Sequence, residues 1–423
     1  MAVNTVWFSE GRQSPEHELM KLGIVYHMPC WQAADASLWE LEGSFARYVD
    51  SLAPYFDEIS LCVPVPTCLP REGTQIRATN VSLAPLPYFE GPRQFYPRLP
   101  LALPRLAQWT RRVDLLHCRV PSPAAPFAWA LAHLAGRPTF LLVVGDLRAL
   151  LPTVPYKGVK RWLWRAYTDF EERSLQWMVD HSLVFANGAA LAAKHARPNR
   201  SVMETTTTTI READILGRAD TCHRSPVRLL VVSRIDPRKG LRVLPEVVRL
   251  LVGRGLEVRL DLIGPTVGHP GDVERDAILR QAVECGVETR IRLLGAIPLQ
   301  RLLPMYQEHD VFVLPTLLGE GIPRVLLEAM ASGLPVVTMR VAGIPSLIRH
   351  EINGLLVEEP TPSAIAEALC RVVTDAGLRQ RLIAHGYETA RALTLEAQAA
   401  RMMEIVSGRL GMTLRQPATL PAV

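Results

Sequence analysis

The chain has 423 residues and a mass of 47.0 kDa, more than one ordinary domain holds, so two or three domains are expected. Hydrophobic residues at 48% and charged residues at 21% are ordinary globular values, which excludes a collagen-like, coiled-coil or wholly disordered chain. A formal net charge of +5 permits an anionic ligand or membrane contact but does not demand nucleic acid, and no nucleic-acid partner is expected.

In chain order, the opening MAVNTVWFSEGRQSPEHE lacks a basic stretch followed by an apolar run, so no signal peptide is expected. A strand is predicted over 22–26, a helix over 37–52 and a strand over 58–63. Residues 67–109 carry seven prolines (Pro70, Pro85, Pro87, Pro92, Pro97, Pro100 and Pro104) and read as an irregular surface excursion. Strands follow at 113–118 and 139–144, a long helix at 156–177 and a strand at 182–186. Charge and proline interrupt the pattern near 216–226, where the domain join is expected.

The second half alternates short apolar strands with helices of about ten residues, the pattern of βαβ units and a parallel sheet. Strands are predicted at 227–233, 257–263, 290–294, 310–314 and 335–338. Helices are predicted at 241–252, 273–285, 299–308 and 323–332. The fold class is therefore α/β. It comprises an N-terminal domain over 1–220, a C-terminal domain over 221–390, a last helix over 391–412 and a flexible tail over 413–423. Two parallel sheets offer the carboxyl ends of their strands as a crevice, and the cleft between domains is the default site. Seven cysteines with wide spacing and no C-x-x-C suit core thiols in a reducing compartment.

The most informative segment runs from Val311 to Gly333. A strand enters the loop Gly319-Glu320-Gly321, which opens a helix behind Ile322 and Pro323. Free N–H groups at a helix start, with the helix dipole, attract an anion, and glycines let a phosphate approach. Glu320 and Glu328 lie on the order of 10 Å apart at about 1.5 Å of rise per residue, too far to share a proton or a metal. Together they suit two distant hydroxyl pairs on one elongated ligand, such as a sugar nucleotide. Taken singly, they read as a first-turn acid and a solvated helix residue. Upstream, Ser233-Arg-Ile-Asp-Pro-Arg-Lys-Gly240 delivers Arg234 and Lys239 to a strand's carboxyl end, where two cations suit a diphosphate. Arg238 reads as the solvated member. No Asp-x-Asp and no metal-spaced His/carboxylate cluster occurs, so no metal or other cofactor is expected.

These segments resemble the E-x7-E signature of retaining glycosyltransferases of family GT4. The likeness extends through Ala342-Gly-Ile-Pro-Ser-Leu-Ile348 and Asn353-Gly-Leu-Leu-Val357, is continuous from about Val227 to Leu369, and is weak over the first half. It implies a GT-B fold, two Rossmann-like domains facing across a cleft, with a nucleotide-diphosphate-sugar donor held by the C-terminal one. It implies that Arg234 and Lys239 hold the diphosphate, Glu320 the transferred sugar and Glu328 the ribose. Gly321, Ile322 and Pro323 would contact sugar and phosphate, and Gly295, Ala296 and Ile297 the nucleobase. The last helix would cross back to the N-terminal domain. The acceptor would be a glycan, a lipid-linked glycan or a small molecule.

The first half departs from the family. Where relatives carry paired glycines after the first strand, this chain reads Met28-Pro-Cys-Trp-Gln-Ala-Ala-Asp. Where many place a reaction-centre His, His117 and Arg119 both stand, and either fits the place. An Arg119 cation suits phosphate or an anionic acceptor. Asp146, at another strand end, is an acceptor-side candidate whose simpler reading is a turn or N-cap residue. Residues 157–167, KGVKRWLWRAY, interleave cations and aromatics and suit an anionic membrane surface. Helical periodicity gives the rival and preferred reading, with Trp162 and Tyr167 packed inward. The expected location is cytoplasmic, with peripheral membrane contact as the variant. Alternative functions are a GT-B epimerase or phosphorylase, or a partner-dependent nucleotide-sugar-binding subunit.

Overall fold

The structure is a computed structural model that describes residues 19–41, 43–68, 70, 73–148, 157–197, 202–318 and 321–417. The N-terminal half begins with β1 (Lys21–Val25), β2 (Cys30–Gln32), β3 (Leu38–Glu40), α1 (Ser44–Leu52), β4 (Glu58–Pro64), β5 (Thr74–Ile76) and β6 (Val81–Leu86). It continues through α2 (Pro92–Thr110), β7 (Leu115–Val120), α3 (Ala125–Leu134), β8 (Thr139–Val143), α4 (Gly158–Asp180), β9 (Leu183–Asn187), α5 (Ala189–His195) and β10 (Met203–Thr205). Seven of these strands form a sheet in the order β10-β9-β8-β7-β1-β4-β6, and every pair in it is parallel. Such strands are covered on both faces, which is why β7 and β8 are buried at every position.

The C-terminal half follows the alternation read from the sequence. Its elements are β11 (Val227–Val232), α6 (Leu244–Gly253), β12 (Val258–Ile263), α7 (Gly268–Glu284), β13 (Ile291–Gly295), α8 (Leu299–Gln307) and β14 (Val311–Leu314). Then come α9 (Arg324–Ala331), β15 (Val336–Met339), α10 (Ile344–Leu347), β16 (Leu355–Val357), α11 (Pro362–Thr374), α12 (Ala376–Ala392) and α13 (Leu395–Leu410). The sheet order β13-β12-β11-β14-β15-β16 is again all parallel. Each sheet carries a hydrophobic cluster on either face.

Four expectations need correction. Residues 67–109 are not irregular: they hold β5, β6 and most of α2. Pro97, Pro100 and Pro104 sit inside α2 on its exposed side, where water satisfies the carbonyls they leave free, while Phe95, Ala102, Leu106 and Trp109 pack inward. The helix expected over 37–52 begins only at Ser44. Before it come β2 and β3, which form a small antiparallel sheet with β5 from beyond α1, and Gly43 makes the turn at φ +82°. The domain join lies upstream of 216–226. Ile210 already packs in the C-terminal core, and Tyr387 Oη donates to the Leu216 carbonyl at 3.0 Å. The described part of the expected tail, up to Pro417, is docked on the N-terminal domain: Leu414 is buried and Arg415 N–H donates to the Tyr55 carbonyl.

The chain crosses between domains twice, at residues 206–210 and 393–395. The crossings touch, with Leu395 N–H donating to the Ile210 carbonyl at 2.7 Å. Beyond the second, α13 lies against α1, with Met402, Met403 and Val406 buried in the N-terminal core. Arg47 and Asp50 of α1 pair with Asp214 and Arg211 just past the first crossing.

Candidate functional site

A cleft of about 1380 Å³ opens between the two domains at the carboxyl ends of both sheets. On the C-terminal wall, Asp236 folds the loop after β11 by accepting the Arg238 N–H and pairing with its guanidinium. Arg238 is thus ion-paired and half-buried, a correction to its expected solvation. The turn brings Arg234 and Lys239 to the cleft. Gly240, at φ +64°, closes it, and a Cβ there would stand 2.3 Å from the Pro315 carbonyl oxygen. Leu317 and Leu318 N–H donate to the Arg238 carbonyl, tying this loop to the one after β14.

Gly321, Ile322 and Pro323 line the cleft at the start of α9, whose N-terminus has no side-chain cap. Among the described residues nothing caps it, so the N–H groups of Gly321, Ile322 and the first helical turn, though not Pro323, which has none, are available to an anion. Glu328 follows on the same helix, 4% exposed and lining the cleft. Its oxygens accept from Thr209 Oγ1 at 2.5 Å and from Tyr306 Oη at 2.7 Å. Burial, together with the adjacent Glu328 charge, pushes the Tyr306 phenol up, so it stays a donor. Ala296 and Ile297 line the cleft; Gly295, at φ +70°, stands at the end of β13 outside it and accepts the Gly264 N–H. Glu320 and Gly319 lie outside the described residues.

The N-terminal wall separates the two reaction-centre candidates. Arg119, near the end of β7, lines the cleft. His117, two residues earlier on the same strand face, is fully buried behind it and does not line the cleft, a correction to its candidacy. Its ring stacks on Phe140 at 4.2 Å and meets Tyr48 Oη at 2.9 Å. Burial, with a smaller contribution from the Arg119 charge, lowers its pKa to about 3. Asp146 also falls outside the cleft. It faces a small separate pocket and pairs with Lys194 at 2.9 Å. Sequence reasoning missed Thr209, Tyr306, Tyr26, Trp31 and Trp39. The unbroken threonine run Thr205–Thr209 is the one visible signal for the first. The two Trp are cross-strand partners in the small sheet and line the cleft.

Among the described residues, no three His, Cys, Asp or Glu side chains could hold a metal ion, and no helix is long and apolar enough to cross a membrane. On α4, Tyr167 does pack against Tyr96, but Trp162 is 67% exposed, with Val159 and Leu163 also exposed. The inward packing expected of Trp162 is corrected.

Residues 226–375 match the family described as "Glycosyl transferases group 1". The chain is 38% identical over 159 residues to the amylovoran biosynthesis glycosyltransferase AmsK of Erwinia amylovora, covering 36% of this chain and 37% of that one. It is 34% identical over 176 residues to a D-inositol 3-phosphate glycosyltransferase of Corynebacterium glutamicum, 41% of each chain. It thus spans less than half the length of these curated relatives. The whole fold is shared with Anabaena HepE, solved in complex with UDP-glucose, at TM-score 0.66 and 16% identity over 92% of this chain and 100% of that one. The two-domain GT-B fold is thereby shown.

Proposed function

We propose that this chain, whose residues 226–375 form a group 1 glycosyltransferase domain, is a metal-independent retaining glycosyltransferase using a nucleotide-diphosphate-sugar donor. The observation that carries this reading is the convergence of Arg234, Lys239, the uncapped start of α9 and buried Glu328 on one interdomain cleft. The two cations and the helix start neutralise the diphosphate without a metal. Glu328 accepts the ribose hydroxyls and Glu320 those of the transferred sugar, while Ala296 and Ile297 flank the base. The acceptor hydroxyl attacks from the face the diphosphate leaves. The sugar–phosphate C–O bond breaks, the new glycosidic bond forms, and the hydroxyl proton passes to the departing phosphate oxygen. Catalysis is then positioning plus charge stabilisation, with no protein base. The UDP-glucose complex supports a hexosyl donor, and the biosynthetic name of the Erwinia relative supports a glycan acceptor. The exposed apolar side chains of α4, set among Lys160, Arg161 and Arg165, support contact with an anionic membrane, and the need for a nucleotide sugar supports a cytoplasmic location.

The test is a thermal-shift panel of nucleotide diphosphates and their sugars, with and without EDTA. One nucleotide should raise the melting temperature by mass action, insensitively to EDTA. No shift with any nucleotide at millimolar concentration refutes the donor site. Turnover should release nucleotide diphosphate with a new glycoside and vanish in Lys239→Ala and Glu320→Gln; an altered sugar nucleotide instead means epimerisation. Retention on vesicles of anionic but not neutral lipid, lost in high salt, is expected of the membrane contact, and indifference to both vesicles refutes it.

A further inference from the structure

We propose that Arg119 forms a second anion subsite on the N-terminal wall of the cleft, built to receive a phosphate or carboxylate carried by one of the two substrates. This rests on the donor reading above and extends it to the chemical class of what is recognised opposite the diphosphate.

Arg119 is only 7% exposed, and it lines the cleft. Its Nε and Nη1 are buried with no hydrogen-bond partner. Among the described residues no carboxylate pairs with it. Other cleft arginines differ: Arg238 is paired with Asp236, and Arg234 is exposed to solvent. Around Arg119 the chain supplies aromatic faces, with the Tyr26 and Tyr48 ring centroids 5.0 and 4.8 Å from the guanidinium carbon. These hold a guanidinium in place and offset part of its desolvation, but they do not neutralise it. Two nearby imidazoles add no charge. Burial first, then repulsion from Arg119, lowers the pKa of His27 to about 4, and burial lowers that of His117 to about 3.

A buried cation with unused N–H donors and no internal counter-ion is costly in an empty cleft. An anion entering from the cleft supplies both the counter-charge and the hydrogen-bond acceptors, and a guanidinium suits the planar or tetrahedral oxygens of carboxylate and phosphate. The donor diphosphate already has Arg234, Lys239 and the α9 start on the other wall. The group read by Arg119 is therefore a different one: a carboxylate on the donor sugar, or a phosphate or carboxylate on the acceptor.

The experiment compares wild type with Arg119→Gln and Arg119→Lys by thermal shift at constant ionic strength. The first measurement is the shift by the nucleotide diphosphate selected above. It should be equal in all three proteins, since that site lies on the other wall. With this nucleotide bound, inorganic phosphate and glucose 1-phosphate are titrated as acceptor-like probes. UDP-glucose and UDP-glucuronate, or the corresponding pair on the selected nucleotide, probe the donor sugar. In wild type at least one arm should show saturable stabilisation by the anion, weakened tenfold or more in Arg119→Gln and partly kept in Arg119→Lys. Loss confined to the phosphate arms places the anion on the acceptor; loss confined to the glucuronate preference places it on the donor sugar. The ligand-free Arg119→Gln protein should melt no lower than wild type, because an uncompensated charge has been removed; a merely structural arginine would lower it. Equal anion responses in wild type and Arg119→Gln, or no anion response where the nucleotide does bind, overturn the subsite. A missing nucleotide shift in every protein overturns the donor reading and this inference with it.

Discussion

Replacing Tyr306 by Phe isolates one bond in the candidate site. The phenol is fully buried and donates to Glu328 Oε2 at 2.7 Å, while Thr209 holds the other oxygen. The phenyl ring keeps its place, so no cavity opens, and what is lost is one hydrogen bond to a carboxylate that is 4% exposed. A bond to a charged group contributes about 1.5–3 kcal/mol. For a domain of this size each kcal/mol moves the melting temperature by roughly 2–4 °C, so calorimetry of the ligand-free protein should show a fall of about 3–12 °C. If Glu328 also receives the ribose, its loosened carboxylate should weaken nucleotide binding by up to about tenfold, the equivalent of 1.4 kcal/mol, in isothermal titration. Thr209→Val should behave similarly, and the double variant should depart from additivity by about 0.5 kcal/mol or more, since both donors act on one group. An unchanged melting temperature together with unchanged nucleotide affinity in Tyr306→Phe would refute the idea that this carboxylate is oriented by the phenol.

Two further outcomes follow from local geometry. Gly240→Ala forces an L side chain to φ +64° and against the Pro315 carbonyl oxygen at 2.3 Å. The left-handed backbone alone costs about 1–2 kcal/mol, so urea unfolding should show at least that loss and nucleotide affinity should fall. Gly408→Ala in α13, where a Cβ meets nothing within 4 Å, is the control and should be neutral or stabilising; equal effects at both positions would sink the argument. Asp261 is desolvated, which alone would raise its pKa, but hydrogen bonds from His309 and Arg292 prevail and hold it at about 2 against an ordinary 3.8. The folded value lies below the unfolded one. Its stabilisation is therefore complete above about pH 4 and is lost as pH falls toward 2. Urea midpoints measured from pH 6 to 2 should fall less steeply in Asp261→Asn, and identical slopes would refute the assignment.

The C-terminal half was legible because strand and helix alternate there with few interruptions. Every strand predicted between Val227 and Thr338 is present, with ends shifted by a residue or so. The first half hid α2 because proline content spoke louder than the inward spacing of Phe95, Ala102, Leu106 and Trp109. It hid the small sheet because three-residue strands are too short to show alternation, so Trp31 and Trp39 read only as departures. His117 and Arg119 could not be told apart along the chain. Both lie on one face of β7, and only the packing of Phe140 and Tyr48 over the first decides which reaches the cleft. Thr209 and Tyr306 were invisible for another reason. Each acts through a carboxylate 119 and 22 positions away respectively, and local pattern does not encode such partners.

The paired crossings between the domains have a thermodynamic consequence. Thr209 belongs to the first crossing and also grips Glu328, while Arg47 of α1 donates to the Thr209 carbonyl at 2.8 Å and pairs with Asp214. The crossing between the halves and the buried carboxylate of the cleft are thus links in one short chain of contacts. A ligand that draws on Glu328 therefore also pulls on this crossing, and any free energy that couples it to an occupant of the opposite wall is the same read from either end. If such an occupant tightens binding at Glu328, whatever binds at Glu328 must tighten the occupant by the same factor.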